Sequence, residues 1–160
     1  MGELISQLRG PYFSFLSVEK EELWERRGRV QRIVGLKSEY YHHPNALRLP
    51  YCVISIFGEA FQHSHEKFAY YGYTVYESQH LVELSRQLQI QIERIRACQN
   101  KAAFDALLTE LFIARCDDAF QKWPDQWELL KSELIESIEQ IIEKVRSAQK
   151  ESKELLVLGV

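Results

Sequence analysis

The chain is poor in the residues that staple a fold together. It has 3 cysteines in 160 residues, Cys52, Cys98 and Cys116. They stand far apart, without a C-x-x-C pair or an even-numbered framework, which excludes a disulfide scaffold and predicts free thiols in a reducing compartment. No apolar run approaches the roughly 18 residues that a membrane-spanning helix needs. The stretch Met1-Gly-Glu-Leu-Ile-Ser-Gln-Leu-Arg9 lacks the basic start and apolar core of a secretory leader. These absences predict a soluble cytoplasmic protein with no membrane association.

A strong charge of either sign is also missing. The formal net charge is −3, too mild to steer the whole molecule towards nucleic acid or an acidic membrane. The excess acid is local: residues 125–160 carry 8 acidic and 5 basic side chains, whereas residues 1–124 are balanced. The 7 glycines are scattered. Gly28-Arg-Val-Gln-Arg-Ile-Val-Gly35 lacks the G-K-[ST] of a phosphate loop, and no G-x-S-x-G elbow occurs. No internal repeat, low-complexity tract or Gly/Ser linker interrupts the chain, so residues 1–160 read as one domain.

What the sequence does have is helical periodicity. Apolar residues step by four and three from Trp127 through Leu134, Ile138, Ile141, Val145 and Ala148 to Leu155, predicting an amphipathic helix of roughly thirty residues, about 45 Å long. Such a stripe exceeds what shorter helices of the same chain can cover. Leu134, Ile138, Ile141 and Val145 are therefore expected to meet a protein partner or a second copy of the chain.

Leu81, Leu84, Leu88, Ile92 and Ile95 form a second seam, and a further helix from Phe104 is expected to break at Trp123-Pro124. Gly10-Pro11 ends any helix begun near Met1 and introduces the aromatic run Tyr12–Leu16. Ser17 as a cap and Glu19, Glu21 and Glu22 in a first turn predict a helix near 18–41, closed by a turn at His42–Asn45. For residues 50–76 the 3.5-residue spacing of Tyr51, Ile54, Phe61, Phe68 and Val75 favours a long helix. The alternative is a hairpin, since both ends of the segment are rich in aromatic and β-branched residues. The expected architecture is all-α, an antiparallel bundle of about five helices with a long C-terminal helix. The hairpin at 51–76 would instead make it α+β.

Three constellations could carry function. Tyrosines crowd residues 40–76, and Tyr70, Tyr71, Tyr73 and Tyr76 combine an apolar ring with a polar tip, the character of protein–protein contacts. Glu59, His63 and Glu66 share one face if the segment is helical, with His65 beside them, which could hold a metal ion. Glu39-x-x-His42 and Glu77-x-x-His80 match the paired unit of di-metal bundles. Arg26, Arg29 and Arg32 align on one helical face and could meet phosphates, although Glu22 and Glu25 are placed to pair with Arg26 and Arg29.

The stretch Arg48-Leu-Pro-Tyr-Cys-Val-Ile-Ser-Ile-Phe-Gly-Glu-Ala-Phe61 resembles the helix of HEPN-superfamily domains in which an apolar run leads to a Glu, a small residue and an aromatic. The resemblance implies a helical, nucleic-acid-associated domain. Ribonuclease members carry an Arg followed four to six residues later by His, and Arg115-Cys-Asp-Asp-Ala-Phe120 has the Arg without the His. The reading that these features favour is a non-enzymatic interaction protein needing no cofactor: an adaptor, immunity-type or regulatory subunit. A His/Glu metal-binding bundle enzyme and a nucleic-acid-associated helical protein are the alternatives.

Overall fold

The computed structural model describes residues 2–8, 11–21, 40, 42–111 and 125–159. Among them the chain forms α1 (Glu3–Ser6), β1 (Tyr12–Val18), β2 (Leu47–Pro50), α2 (Tyr51–Ile56), α3 (Gly58–Ser64), β3 (Tyr73–Tyr76), α4 (Ser78–Ala97), α5 (Lys101–Leu111), α6 (Trp127–Lys150) and β4 (Glu154–Leu158). The four strands make one antiparallel sheet in the order β2-β1-β4-β3. The architecture is therefore mixed α/β, and the expected all-α bundle is wrong. The α+β alternative fits, but not as a hairpin within 51–76, because Tyr51–Ser64 is helical and β3 pairs with β4.

The sheet escaped the periodicity because it is buried on both faces. Phe13 and Phe15 of β1, Leu49 of β2, Tyr76 of β3 and Leu155 and Val157 of β4 point into the main core. The alternate positions Leu16, Val18, Val75, Leu156 and Leu158 form a second cluster with Tyr40 on the opposite face. A strand covered on both sides loses the polar alternation that identifies it. All five residues of β4 are buried, and Glu-Leu-Leu-Val-Leu reads equally well as one more helical turn.

Helix α6 stops earlier than its stripe suggested, at about 36 Å for its 24 residues. Past Lys150 the chain makes a Schellman closure: Lys153 N–H donates to the Ala148 carbonyl at 2.8 Å and Ser152 N–H to that of Gln149 at 3.2 Å. Ser152 occupies the left-handed position at φ 56°, where glycine would have announced the stop. The seam residues Leu134, Ile138, Ile141 and Val145 are fully buried in this chain's own core, as are Leu81, Leu84, Leu88 and Ile95 of α4. Helix α6 packs on α4, α1, β1 and β2. Arg96 at the end of α4 joins the two long helices through Glu139 at 2.7 Å, and Lys131 Nζ donates to the Arg96 carbonyl at 3.1 Å.

The start of the chain is tied to α6 by a buried carboxylate. Glu133 accepts the Leu4 N–H at 3.0 Å and the Ile5 N–H at 2.8 Å, so its negative charge meets unpaired donors of α1. A side chain at Gly2 would collide there, its Cβ falling 2.1 Å from Glu133 Cδ.

The turn at His42–Asn45 forms as expected, and Lys144 Nζ donates to the Asn45 carbonyl at 2.7 Å. Of the helix expected near 18–41, Val18 belongs to β1, and residues 22–39 and 41 lie outside the described residues. Trp123-Pro124 lies outside them too. The segment 48–61 that resembles a HEPN helix is a strand end followed by two short helices meeting at Phe57. No helix among the described residues is long and apolar enough to cross a membrane.

Candidate functional site: a tyrosine surface at the sheet margin

Residues 65–72 leave α3, cross the end of the sheet and enter β3, the edge strand. Three hydrogen bonds from backbone N–H groups shape and hold this loop. Phe68 N–H donates to the His65 carbonyl at 3.0 Å, Ala69 N–H to Thr74 Oγ1 at 3.0 Å, and Gly159 N–H to the Gly72 carbonyl at 2.8 Å. Gly72 takes φ 142°, a conformation suited to glycine. The loop lies so close to the end of β4 that a Cβ on Gly159 would fall 2.0 Å from the Tyr70 carbonyl oxygen.

On this frame the aromatic rings form a connected bed. Phe13 of β1 stacks on Tyr51 at 6.0 Å between centroids and on Phe68 at 6.3 Å, and Tyr70 stands edge-on to Phe68 at 5.0 Å. Tyr71 stacks on Tyr51 at 6.4 Å and is 76% exposed, whereas Tyr73, 39% exposed, pairs with Leu158 and so lies on the opposite face of the sheet, with Val75, Leu156 and Leu158. Tyr76, by contrast, is fully buried, and its hydroxyl donates to the Phe61 carbonyl at 3.0 Å. Of the four tyrosines singled out in the sequence, Tyr70 and Tyr71 join this bed, Tyr73 is exposed on the other face of the sheet and Tyr76 lies in the core. Sequence spacing missed Phe13, which only strand pairing brings beneath Tyr51.

The phenols are not tuned for proton transfer. Burial, reinforced by the Glu59 carboxylate, pushes Tyr70 up to about 12, and burial raises Tyr76 as well. A phenol acting as a base near neutral pH would need the opposite shift. The Tyr70 hydroxyl is buried without a hydrogen-bond partner among the described residues.

The metal-ligand set does not converge. Helix α3 ends at Ser64 and His65 is extended, so Glu66 leaves the face that carries Glu59 and His63. No group of three or more His, Cys, Asp or Glu side chains among the described residues could hold a metal ion. His65 instead stacks on His80 of α4 at 4.2 Å, while Glu77 is the N-cap of that helix. Glu39 and the arginines Arg26, Arg29 and Arg32 lie outside the described residues.

A separate open groove of about 550 Å³ runs between α4 and α6, lined by Val82, Arg86, Ile90, Glu93, Arg146 and Gln149 among others. It shares no residue with the tyrosine surface, and Glu83 already holds Arg86 through Nε at 2.9 Å. No protein-family model, curated protein or solved structure matches the chain, so the reading of its function rests on the geometry of these surfaces.

Proposed function

We propose that the protein is a non-enzymatic interaction module that docks a protein partner on the surface formed by Tyr51, Tyr70 and Tyr71. One observation carries this reading: Tyr71 is exposed yet stacked on Tyr51, within a bed of rings fixed to the sheet. Exposed tyrosine held in one orientation supplies a large amphipathic contact area at little entropic cost on binding. The hydroxyl of Tyr70, buried without a partner among the described residues, lies at the base of the same surface.

A photo-crosslinking amino acid placed at Tyr71, at Tyr73 or at the exposed Gln89 of α4, in cells expressing the chain, tests the assignment. The expected result is a defined adduct with one protein from position 71 and none from 73, on the other face of the sheet, or from 89. The same adduct from all three positions, or none from 71, would overturn it.

A further inference from the structure

His65 ends α3 and begins the loop that carries the tyrosines. Its N–H donates to the Phe61 carbonyl at 3.1 Å, and its ring Nδ1 accepts the Lys67 N–H at 3.1 Å. An imidazole nitrogen accepts a hydrogen bond only when it bears no proton. The turn that Nδ1 caps is closed by the Phe68 N–H on the His65 carbonyl and leads into the Ala69 N–H bond to Thr74 Oγ1, so the loop's hold on β3 starts beside an unprotonated histidine nitrogen.

Burial and a second imidazole oppose a charge on the ring, while the Val75 backbone and the Glu66 carboxylate favour one. His80 of α4 lies at 4.2 Å between ring centroids, and the buried Tyr76 of β3 stands edge-on at 5.3 Å. Glu66 and Lys67 flank it in its own turn, and α3 brings the exposed His63 two residues earlier.

We propose that His65 is an acid-sensitive latch: protonation at Nδ1 releases the turn at 65–67 and detaches the loop bearing Phe68, Tyr70 and Tyr71 from the sheet margin. The added proton turns the Lys67 contact into two opposed donors and sets a cation against a second imidazole. Burial first, then His80, lowers His65 below its usual 6.5, with Lys67 acting the same way and the Val75 backbone and Glu66 against it. Because the closed loop prefers the neutral ring, its stability is intact above 6.5 and drains away as pH falls through 6.5 to the closed-state value. Each pKa unit of that difference raises the opening constant about tenfold. Partner release on acidification rests on the docking reading above; opening of the loop does not.

The test uses the isolated full chain, so its failure is distinguishable from failure of the docking reading. Amide exchange at Phe68 and Ala69, corrected for intrinsic rates, is followed from pH 7.5 to 5 alongside the His65 ring titration by NMR. The expected result is a several-fold rise in opening that tracks the ring titration, with core amides of α4 and α6 unchanged. His65→Asn keeps an acceptor at the place of Nδ1 without a titratable group, and its opening should be flat with pH. His80→Gln should move the His65 titration upward. Opening in the wild type that ignores the ring titration, or a rise that persists in His65→Asn, would overturn the proposal.

Discussion

Glu133→Ala is expected to destabilise the protein far more than a helix substitution usually does. The carboxylate is 4% exposed and accepts two backbone N–H groups of α1, Leu4 and Ile5. Truncation leaves both donors buried and unpaired, at about 1–3 kcal/mol each. It also loosens the packing of Leu4 and Ile5 on the core. A loss of about 2–6 kcal/mol follows, a large share of a typical total of about 5–15 kcal/mol. Glu133→Gln keeps one acceptor and turns its amide against the other donor, so it should cost roughly half as much. Gly2→Ala attacks the same contact from the other side, so the double variant Gly2→Ala/Glu133→Ala should cost less than the sum of the two. Urea unfolding followed by circular dichroism reads all four. A Glu133→Ala variant within about 0.5 kcal/mol of the wild type, the range of ordinary surface changes, would refute the assignment of this carboxylate as the clasp between α1 and α6.

Ile138→Asp should unfold the protein, since its position is fully buried. Glu139→Gln, which removes an exposed ion pair with Arg96, should cost under about 1 kcal/mol by thermal denaturation. Ser152→Gly should raise stability by up to about 1 kcal/mol in the same assay by relieving the left-handed serine at the end of α6. In alkaline titration followed by tyrosinate absorbance, Tyr70 should ionise at about 12. Because its folded value lies above the usual 10, stability should be intact below pH 10 and fall as pH rises from 10 towards 12.

The two long helices were legible because each buries one stripe and leaves the opposite face polar, as in Leu81–Ile95 and Leu130–Ala148. The strands were not, for reasons that differ. β1 and β4 are covered on both faces, so Phe13 to Val18 and Glu154 to Leu158 show no alternation. The end of α6 carried serine where glycine would have been a signal. β3 lies in the segment whose aromatic content suggested strand, but its partner is 79 or more residues away in sequence, beyond any local pattern. The tyrosine surface was half legible. Composition pointed to the segment, while the separation of the exposed Tyr73 from the buried Tyr76 depends on β3 alternating between the two faces of the sheet, and Tyr71 lies in the loop before that strand. The long apolar stripe of α6 suggested an interface, and the sheet that covers it is what that reasoning lacked.

The affinity of the protein that crosslinks from position 71, measured for the wild type and for Tyr71→Ala, tests the central claim most directly. The expected loss is about 2 kcal/mol, roughly thirtyfold in Kd, with the urea midpoint unchanged, because Tyr71 is exposed and contributes little to the core. An affinity within twofold of the wild type, or a loss that merely follows a fall in stability, would contradict the docking role of the tyrosine surface.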